Sequence, residues 1–462
     1  MKKKHLLKFI LLIMATTVNA QITSGGGEAY PELRTNKKAL KKFQDNRFGM
    51  FIHWGPVSLR GTEISWSRGK QVQIEDYDNL YKEFNPVLFN AKDWVMVAKE
   101  AGMKYIVLTA RHHDGFCLWD SDYTDYDMGN TPYGKGIVKD LAKECKKQGI
   151  DFGLYYTICD WRHEDYPVRW PSENYEFHVE RAITDPYIKK KMDNYINYMK
   201  NQLKELIDAY DPTLIWFDGE WEWAWTHEMG MDLYAYLREI KDNMLINNRV
   251  DKGRQGMQGL TKNYKFAGDY GTPEQEIGKY DVENVWESCI TIADQWAWKP
   301  NDKLKTEKEC IQTLVKTVGG GGNLLFNVGP MPDGRIEQRQ ISRLKEIGAW
   351  MDLYGEAIYG TRGGPYMPNE MLVSTRKENK IYIHLLKKPK ERLRLKIPKE
   401  YKIKKVHFIN DTSDLTYSIV KHSIEIVIPE KLPDDNVSVI VLEMNKATDA
   451  IQNIKTQNNN NE

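Results

Sequence analysis

The sequence predicts an α/β fold: a (β/α)8-like barrel, irregular in places, followed by a C-terminal antiparallel β-sandwich. Three observations predict it. Apolar, β-rich runs alternate with helical patterns from about residue 47 to 355, the grammar of a parallel sheet with crossover helices. Seven such runs are visible with room for an eighth, and polar or aromatic residues cluster just after many of them, where barrels keep their chemistry. After about residue 360 the helices stop, and short alternating strands follow one another across turns, as in a sandwich.

The elements follow in chain order. Lys2, Lys3 and Lys4 precede an apolar run over 6–14, and Val18-Asn19-Ala20 offers small residues before Gln21. This is the plan of a secretory signal, cleaved after Ala20, so a secreted or periplasmic product is expected. The run is too short to span a bilayer, and no other segment reads as a membrane span. The barrel is assigned to 21–360. Its strand runs are 48–54, 105–110, 152–157, 213–217, 244–247, 285–289 and 324–328. Helical patterns cover 90–102, 227–243, 306–318 and 336–355. Asp185 caps a longer one, with Pro186 in its first turn and Ile188, Met192, Tyr195, Met199, Leu203 and Leu206 as its apolar stripe. Thr361-Arg-Gly-Gly-Pro365 is a break. The sandwich occupies 361–446, and 447–462, Asn-rich at its end, is expected as a disordered tail.

Composition narrows the function. The chain has 462 residues, 41% hydrophobic and 28% charged, with 14 Trp, 26 Tyr and 13 Phe. That excludes a mostly disordered chain and a disulfide-stapled miniprotein. Net charge is +1, and loss of 1–20 leaves 62 basic against 65 acidic residues, so no basic field for nucleic acid exists. Five cysteines include no CxxC pair, which argues against a disulfide framework and a zinc site. No feature specifies an oligomer.

Several segments can carry chemistry. The strand ending Leu214-Ile-Trp216-Phe-Asp218-Gly219 delivers a carboxylate at the barrel mouth; a turn-starting or capping Asp fits the same pattern. Val285-Trp-Glu287-Ser-Cys289 places a second carboxylate among apolar residues, which would raise its pKa; a Glu in a structural ion pair is the alternative. One ionised and one protonated carboxyl is what glycoside hydrolysis requires. His112 and His113 follow the second strand run and His53 ends the first. Neighbours on a strand face opposite ways and no HExxH spacing is present, so hydrogen bonding to sugar hydroxyls is preferred to metal ligation. Gly319–Gly322 lacks the Lys-Ser/Thr of a phosphate loop and reads as a helix-to-strand turn. The aromatic stretches 161–175, 221–225 and 296–298 fit either packing or sugar platforms.

The segments RFGMFIHWG (47–55), YIVLTARHHDGFCLWDS (105–121), FGLYY (152–156), LIWFDGEW (214–221), VWESC (285–289), GGNLLFNVGPMPDGRI (321–336) and YGEAIYGTR (354–362), in this order, resemble the α-L-fucosidases, family 29 of the glycoside hydrolases. The resemblance covers about two thirds of the chain. It implies a barrel with a following β-sandwich and an exo-acting enzyme that removes terminal α-linked L-fucose from oligosaccharides or glycans with retention. It implies Asp218 as nucleophile and Glu287 as acid/base. His53, His112, His113, Tyr156 and Trp216 are the implied sugar contacts. Glu63 and Trp66, in Gly61-Thr-Glu63-Ile-Ser-Trp66, stand where the family has a Glu beside an aromatic pair, and Trp296 where it has an aromatic near the sugar. Arg249 is a candidate for the family's Arg near the fucose. No metal or organic cofactor is implied. An α-L-galactosidase using the same site and a catalytically silent glycan binder are the alternatives.

Overall fold

The computed structural model describes residues 25–171, 185–260 and 263–456. The signal segment 1–20, part of the aromatic stretch 161–175 and the last residues of the expected tail lie outside the described residues. Among the described residues no helix is long and apolar enough to cross a membrane.

Seven parallel strands form the first sheet: β1 (Phe48–Ile52), β2 (Tyr105–Arg111), β3 (Asp151–Thr157), β4 (Leu214–Asp218), β5 (Leu245–Ile246), β6 (Glu287–Thr291) and β7 (Asn323–Val328). Their order is β5-β4-β3-β2-β1-β7-β6. The two edge strands are joined by residues 270–274: Tyr270 pairs in parallel with Asn247, Gly271 with Trp286, and Glu274 with Cys289. This segment is the eighth stave. Its sequence, Tyr-Gly-Thr-Pro-Glu, holds a glycine and a proline, which weaken a strand and remove a ladder donor. An apolar-run criterion therefore passes over it.

Side chains alternate along the staves. Phe51, Tyr105, Val107, Tyr155, Trp216, Cys289 and Leu325 pack together in the interior, and their neighbours pack outward against the helices. Gly49 of β1 faces inward; a Cβ there would stand 2.4 Å from Tyr105 Cζ. The long helix Pro186–Tyr210 starts as its sequence indicates, with the Asp185 carboxylate accepting from the backbone N–H of Tyr187 and Ile188.

The C-terminal strands are β8 (Arg362–Gly363), β9 (Leu372–Lys377), β10 (Lys380–Leu385), β11 (Arg392–Lys396), β12 (Ile403–Phe408), β13 (Asp411–Asp414), β14 (Tyr417–Val420), β15 (Ser423–Val427) and β16 (Ser438–Met444). They form a six-stranded sheet, β13-β12-β16-β10-β9-β8, and a three-stranded one, β11-β15-β14. Ile381, Ile383 and Leu442 face the small sheet's Leu393 and Ile424. Val373, Tyr382, Val439 and Val441, which alternate with residues of that face, join the core around the barrel helices.

One expectation is corrected here. Residues 447–456 are not a disordered tail. Ile451 is buried, Ile454 pairs with Tyr366, and Arg376 donates to the carbonyls of Thr448 and Ile451. Ile451 and Ile454 pack against the sandwich core, and Arg376 and Glu378 hold the backbone and side chain of this segment.

Candidate active site

Asp218 ends β4, and the alternation of Leu214, Trp216 and Asp218 turns its carboxylate into the barrel mouth. Gly219 follows with φ +95°, and a Cβ there would stand 2.8 Å from Cys159 Sγ. Only glycine turns the chain at this point. Arg249 Nη1 donates to Asp218 Oδ1 at 2.5 Å, and the Tyr155 hydroxyl donates to Oδ2 at 3.0 Å. His113 Nε2 lies 3.7 Å from Oδ2. Burial pushes the Asp218 pKa up, but the adjacent charges, Arg249 foremost, pull it below its ordinary value. The group is an ionised carboxylate.

Arg249 sits in the short turn Asn248–Val250 just after β5 and is buried. Its Nη2 donates to Glu274 Oε2 at 2.9 Å. One guanidinium therefore carries Asp218 on one terminal nitrogen and Glu274 on the other. Arg254 extends the chain of charges, with Nη1 3.5 Å from Glu274 Oε2 and Nε donating to Glu220 Oε1 at 2.5 Å. Burial, with the Asp218 charge adding to it against Arg254, raises the Glu220 pKa. The Glu274 side chain keeps 22% of its surface exposed, and Glu274 ends the eighth stave as Asp218 ends the fourth.

Three histidines line the same mouth, each held by Nδ1. His53 Nδ1 meets Asn327 Oδ1 at 2.6 Å, and Asn327 Nδ2 donates to the Trp296 carbonyl. The amide is thereby oriented, so His53 Nδ1 carries the proton and Nε2 offers a lone pair. His113 Nδ1 meets Thr157 Oγ1 at 2.7 Å, and that hydroxyl donates to the Cys159 carbonyl. His113 Nε2 is thus also an acceptor. His112 Nδ1 meets Ser65 Oγ at 2.7 Å, and its ring stacks on Tyr155 at 5.1 Å. Burial holds all three imidazoles neutral, His53 near pKa 3, His113 near 4 and His112 well below its ordinary value.

Aromatic rings complete the walls. Trp296 lies against His53 at 4.7 Å. Trp66 meets His113 edge-on at 5.7 Å and stacks with the half-exposed Trp221 at 6.4 Å. The Glu63 carboxylate accepts from the backbone N–H of Ile64, Trp296 and Ala297, so it fixes the Trp296 loop. Trp216 is a floor beneath Asp218. Among the described residues no group of three or more His, Cys, Asp or Glu is arranged to hold a metal ion.

Two expected residues are not brought to the opening. Tyr156 points outward between strand and helix, where its hydroxyl bonds Arg111 and Gln202. Its neighbour Tyr155 takes the inward position, because consecutive strand residues face opposite sides. Glu287 faces inward but is fully buried. The strand expected over 285–289 runs instead as Glu287–Thr291, so Glu287 enters the barrel at the strand's N-terminal end. Trp216 Nε1 donates to its Oε1 at 3.0 Å and the Tyr105 hydroxyl donates to its Oε2. Burial raises its pKa to about 7. The residues absent from the sequence reading are Tyr155, Glu220, Arg254 and Glu274. Tyr155 was legible from strand alternation, whereas Glu274 ends a stave with no apolar run.

Comparison with known proteins bears on this arrangement. The family model described as Alpha-L-fucosidase matches residues 15–356. The human plasma alpha-L-fucosidase is 30% identical over 374 residues, which is 75% of this chain and 76% of that protein. A solved alpha-L-fucosidase of Bacteroides thetaiotaomicron superposes with a TM-score of 0.80 at 30% identity, covering 92% of this chain and 98% of that one. Another structure from that organism, a trapped covalent intermediate in complex with 2-fluoro-fucosyl fluoride, superposes at 0.79 with 30% identity, over 88% and 96% of the two chains.

Proposed function

This chain belongs to the α-L-fucosidase family, family 29 of the glycoside hydrolases, and on that premise we propose that it releases terminal α-linked L-fucose by a retaining mechanism run by Asp218 and Glu274. It is a glycoside hydrolase, an α-L-fucosidase. The observation that carries the mechanistic reading is the shared guanidinium. A retaining pair stands about 5–5.5 Å apart, an inverting pair about 6.5–9.5 Å. Arg249 holds both carboxylates at once, one on each terminal nitrogen, which supports the close pairing that a retaining mechanism needs.

Asp218 attacks the anomeric carbon of the fucoside while Glu274 protonates the departing glycosidic oxygen. The result is a fucosyl ester of Asp218 and the free acceptor sugar. Glu274, now a carboxylate, takes a proton from water, which attacks the same carbon and returns the Asp218 carboxylate. Two inversions give retention. Glu274 replaces Glu287 in the acid/base role because Glu287 has both oxygens engaged and no exposed surface. The lone pairs of His53 and His113 accept from sugar hydroxyls, His112 adds a third contact, and Trp66 and Trp296 pack on the ring. Glu63 serves by holding Trp296. Trp216 is the floor.

Residues 1–20 direct export, and the barrel over 21–360 and the sandwich over 361–446 are the two folding units. The first test is release of free L-fucose from α1,2-, α1,3-, α1,4- and α1,6-fucosylated oligosaccharides, followed by proton NMR. Wild type is expected to release the α anomer first. Asp218→Asn is expected to lower kcat by more than about 10³-fold. First release of β-L-fucose, or an undiminished Asp218→Asn, sinks the mechanism.

A further inference from the structure

Glu287 is a fully buried carboxyl group for which the reaction above has no step. Its surroundings indicate what it does. Trp216 Nε1 donates to Oε1 at 3.0 Å and the Tyr105 hydroxyl donates to Oε2. Tyr105 occupies its place because Gly49 has no side chain there. An indole has one polar atom, so the bond from Nε1 fixes the rotation of the whole Trp216 ring. That ring carries the Arg249 guanidinium 4.4 Å from its centroid, and the Tyr155 ring stacks with it at 5.7 Å and 17°. Arg249 and Tyr155 are the two groups that grip Asp218, one on each oxygen.

We propose that Glu287 is a positioning residue: by anchoring Trp216 from below, it holds Arg249 and Tyr155 where they aim Asp218 at the anomeric carbon. This rests on the assignment of Asp218 and Glu274 above. Loss of the acceptor leaves the indole N–H buried and unpaired and frees the ring to turn. A displacement of about 1 Å in a catalytic group costs about 100-fold in rate. The cost falls on kcat, since the sugar-binding histidines are anchored elsewhere, on Asn327, Ser65 and Thr157.

The test uses the full-length enzyme and two substrates, a nitrophenyl α-L-fucoside with a good leaving group and a fucosylated disaccharide with a poor one. Glu287→Leu and Trp216→Phe are each expected to lower kcat about 100-fold by the same factor on both substrates, with KM within about threefold. Azide is expected not to accelerate either variant. Glu287→Gln keeps an oxygen for the indole, and Tyr105 can turn its hydroxyl to accept from the amide, so it is expected to stay within about tenfold of wild type. In a Trp216→Phe background the Glu287 substitutions are expected to add little further loss. Glu274→Ala serves as the reference: it is expected to lose the disaccharide selectively, with azide giving α-fucosyl azide. If Glu287→Gln behaves in that way instead, Glu287 is the acid/base and the proposal falls. It also falls if Glu287→Leu keeps full rate, or if the Glu287 and Trp216 losses simply multiply. Binding of an iminocyclitol inhibitor reports folding. If Glu287→Leu fails that check, the Glu287→Gln and Trp216→Phe cycle decides alone. Failure of the Glu274 reference overturns the reaction assignment separately.

Discussion

At the scale of single residues, the site separates carboxyl groups by their surroundings. Asp218 is buried but faces Arg249, which keeps it ionised. Glu287 is buried among Tyr105, Trp216, Tyr270 and Cys289, with Arg249 only a distant compensation, and its pKa rises to about 7 from an ordinary 4.5. This has a consequence for stability. Between about pH 4.5 and 7 the unfolded chain loses the Glu287 proton while the folded chain keeps it. The stabilising contribution is therefore fully present below about pH 4.5 and is lost as pH rises toward 7, an effect of order 3 kcal/mol. The unfolding free energy of wild type minus that of Glu287→Gln is expected to fall across this window in urea titrations at stepped pH. A flat difference would show that the buried group does not hold its proton.

At the scale of elements, strand alternation decides which of two adjacent tyrosines matters. Tyr155 faces the mouth and donates to Asp218, while Tyr156 faces a helix and bonds Gln202 at 2.8 Å. Tyr155→Phe is expected to lower kcat about 10- to 100-fold, the worth of one hydrogen bond to a charged group. Tyr156→Phe is expected to leave kcat and KM within about twofold and to cost about 1–3 kcal/mol of stability for the unpaired partners. Matched kinetics and denaturant melts on the two variants check both statements, and a kinetic defect in Tyr156→Phe would contradict the assigned facing. Most elements were legible in the sequence, because β1 to β7 are apolar runs and Asp185 and Pro186 mark a helix start. The eighth stave was not, since Gly271 and Pro273 erase the β signal where Glu274 is delivered. The strand holding Glu287 was legible, but its start was not, and a shift of two residues moves that carboxyl from the middle of the strand to its N-terminal end.

At the scale of the whole molecule, the barrel and the sandwich share apolar surface. Val373, Tyr382, Val439 and Val441 lie in one core with the barrel helices, and Trp350 Nε1 donates to the Val437 carbonyl. A chain cut after residue 360 would expose that surface, and it is expected to be insoluble or to melt well below the intact enzyme; a soluble, fully active truncation would show the sandwich dispensable. If residues 1–20 act as a cleaved export signal, as proposed, terminal sequencing of the mature protein is expected to begin at Gln21, and a retained Met1 would overturn that reading. By itself the sequence determined the alternating barrel, the following sandwich, the family and Asp218 at a strand's end, because each is written in local periodicity or a contiguous motif. Only the tertiary structure brought Glu274 to the guanidinium that holds Asp218. Glu274 and Glu287 sit on adjacent staves whose neighbouring residues in register are Glu274 and Cys289, and register is set by pairing across the closed barrel. Spacing along the chain carries no record of it.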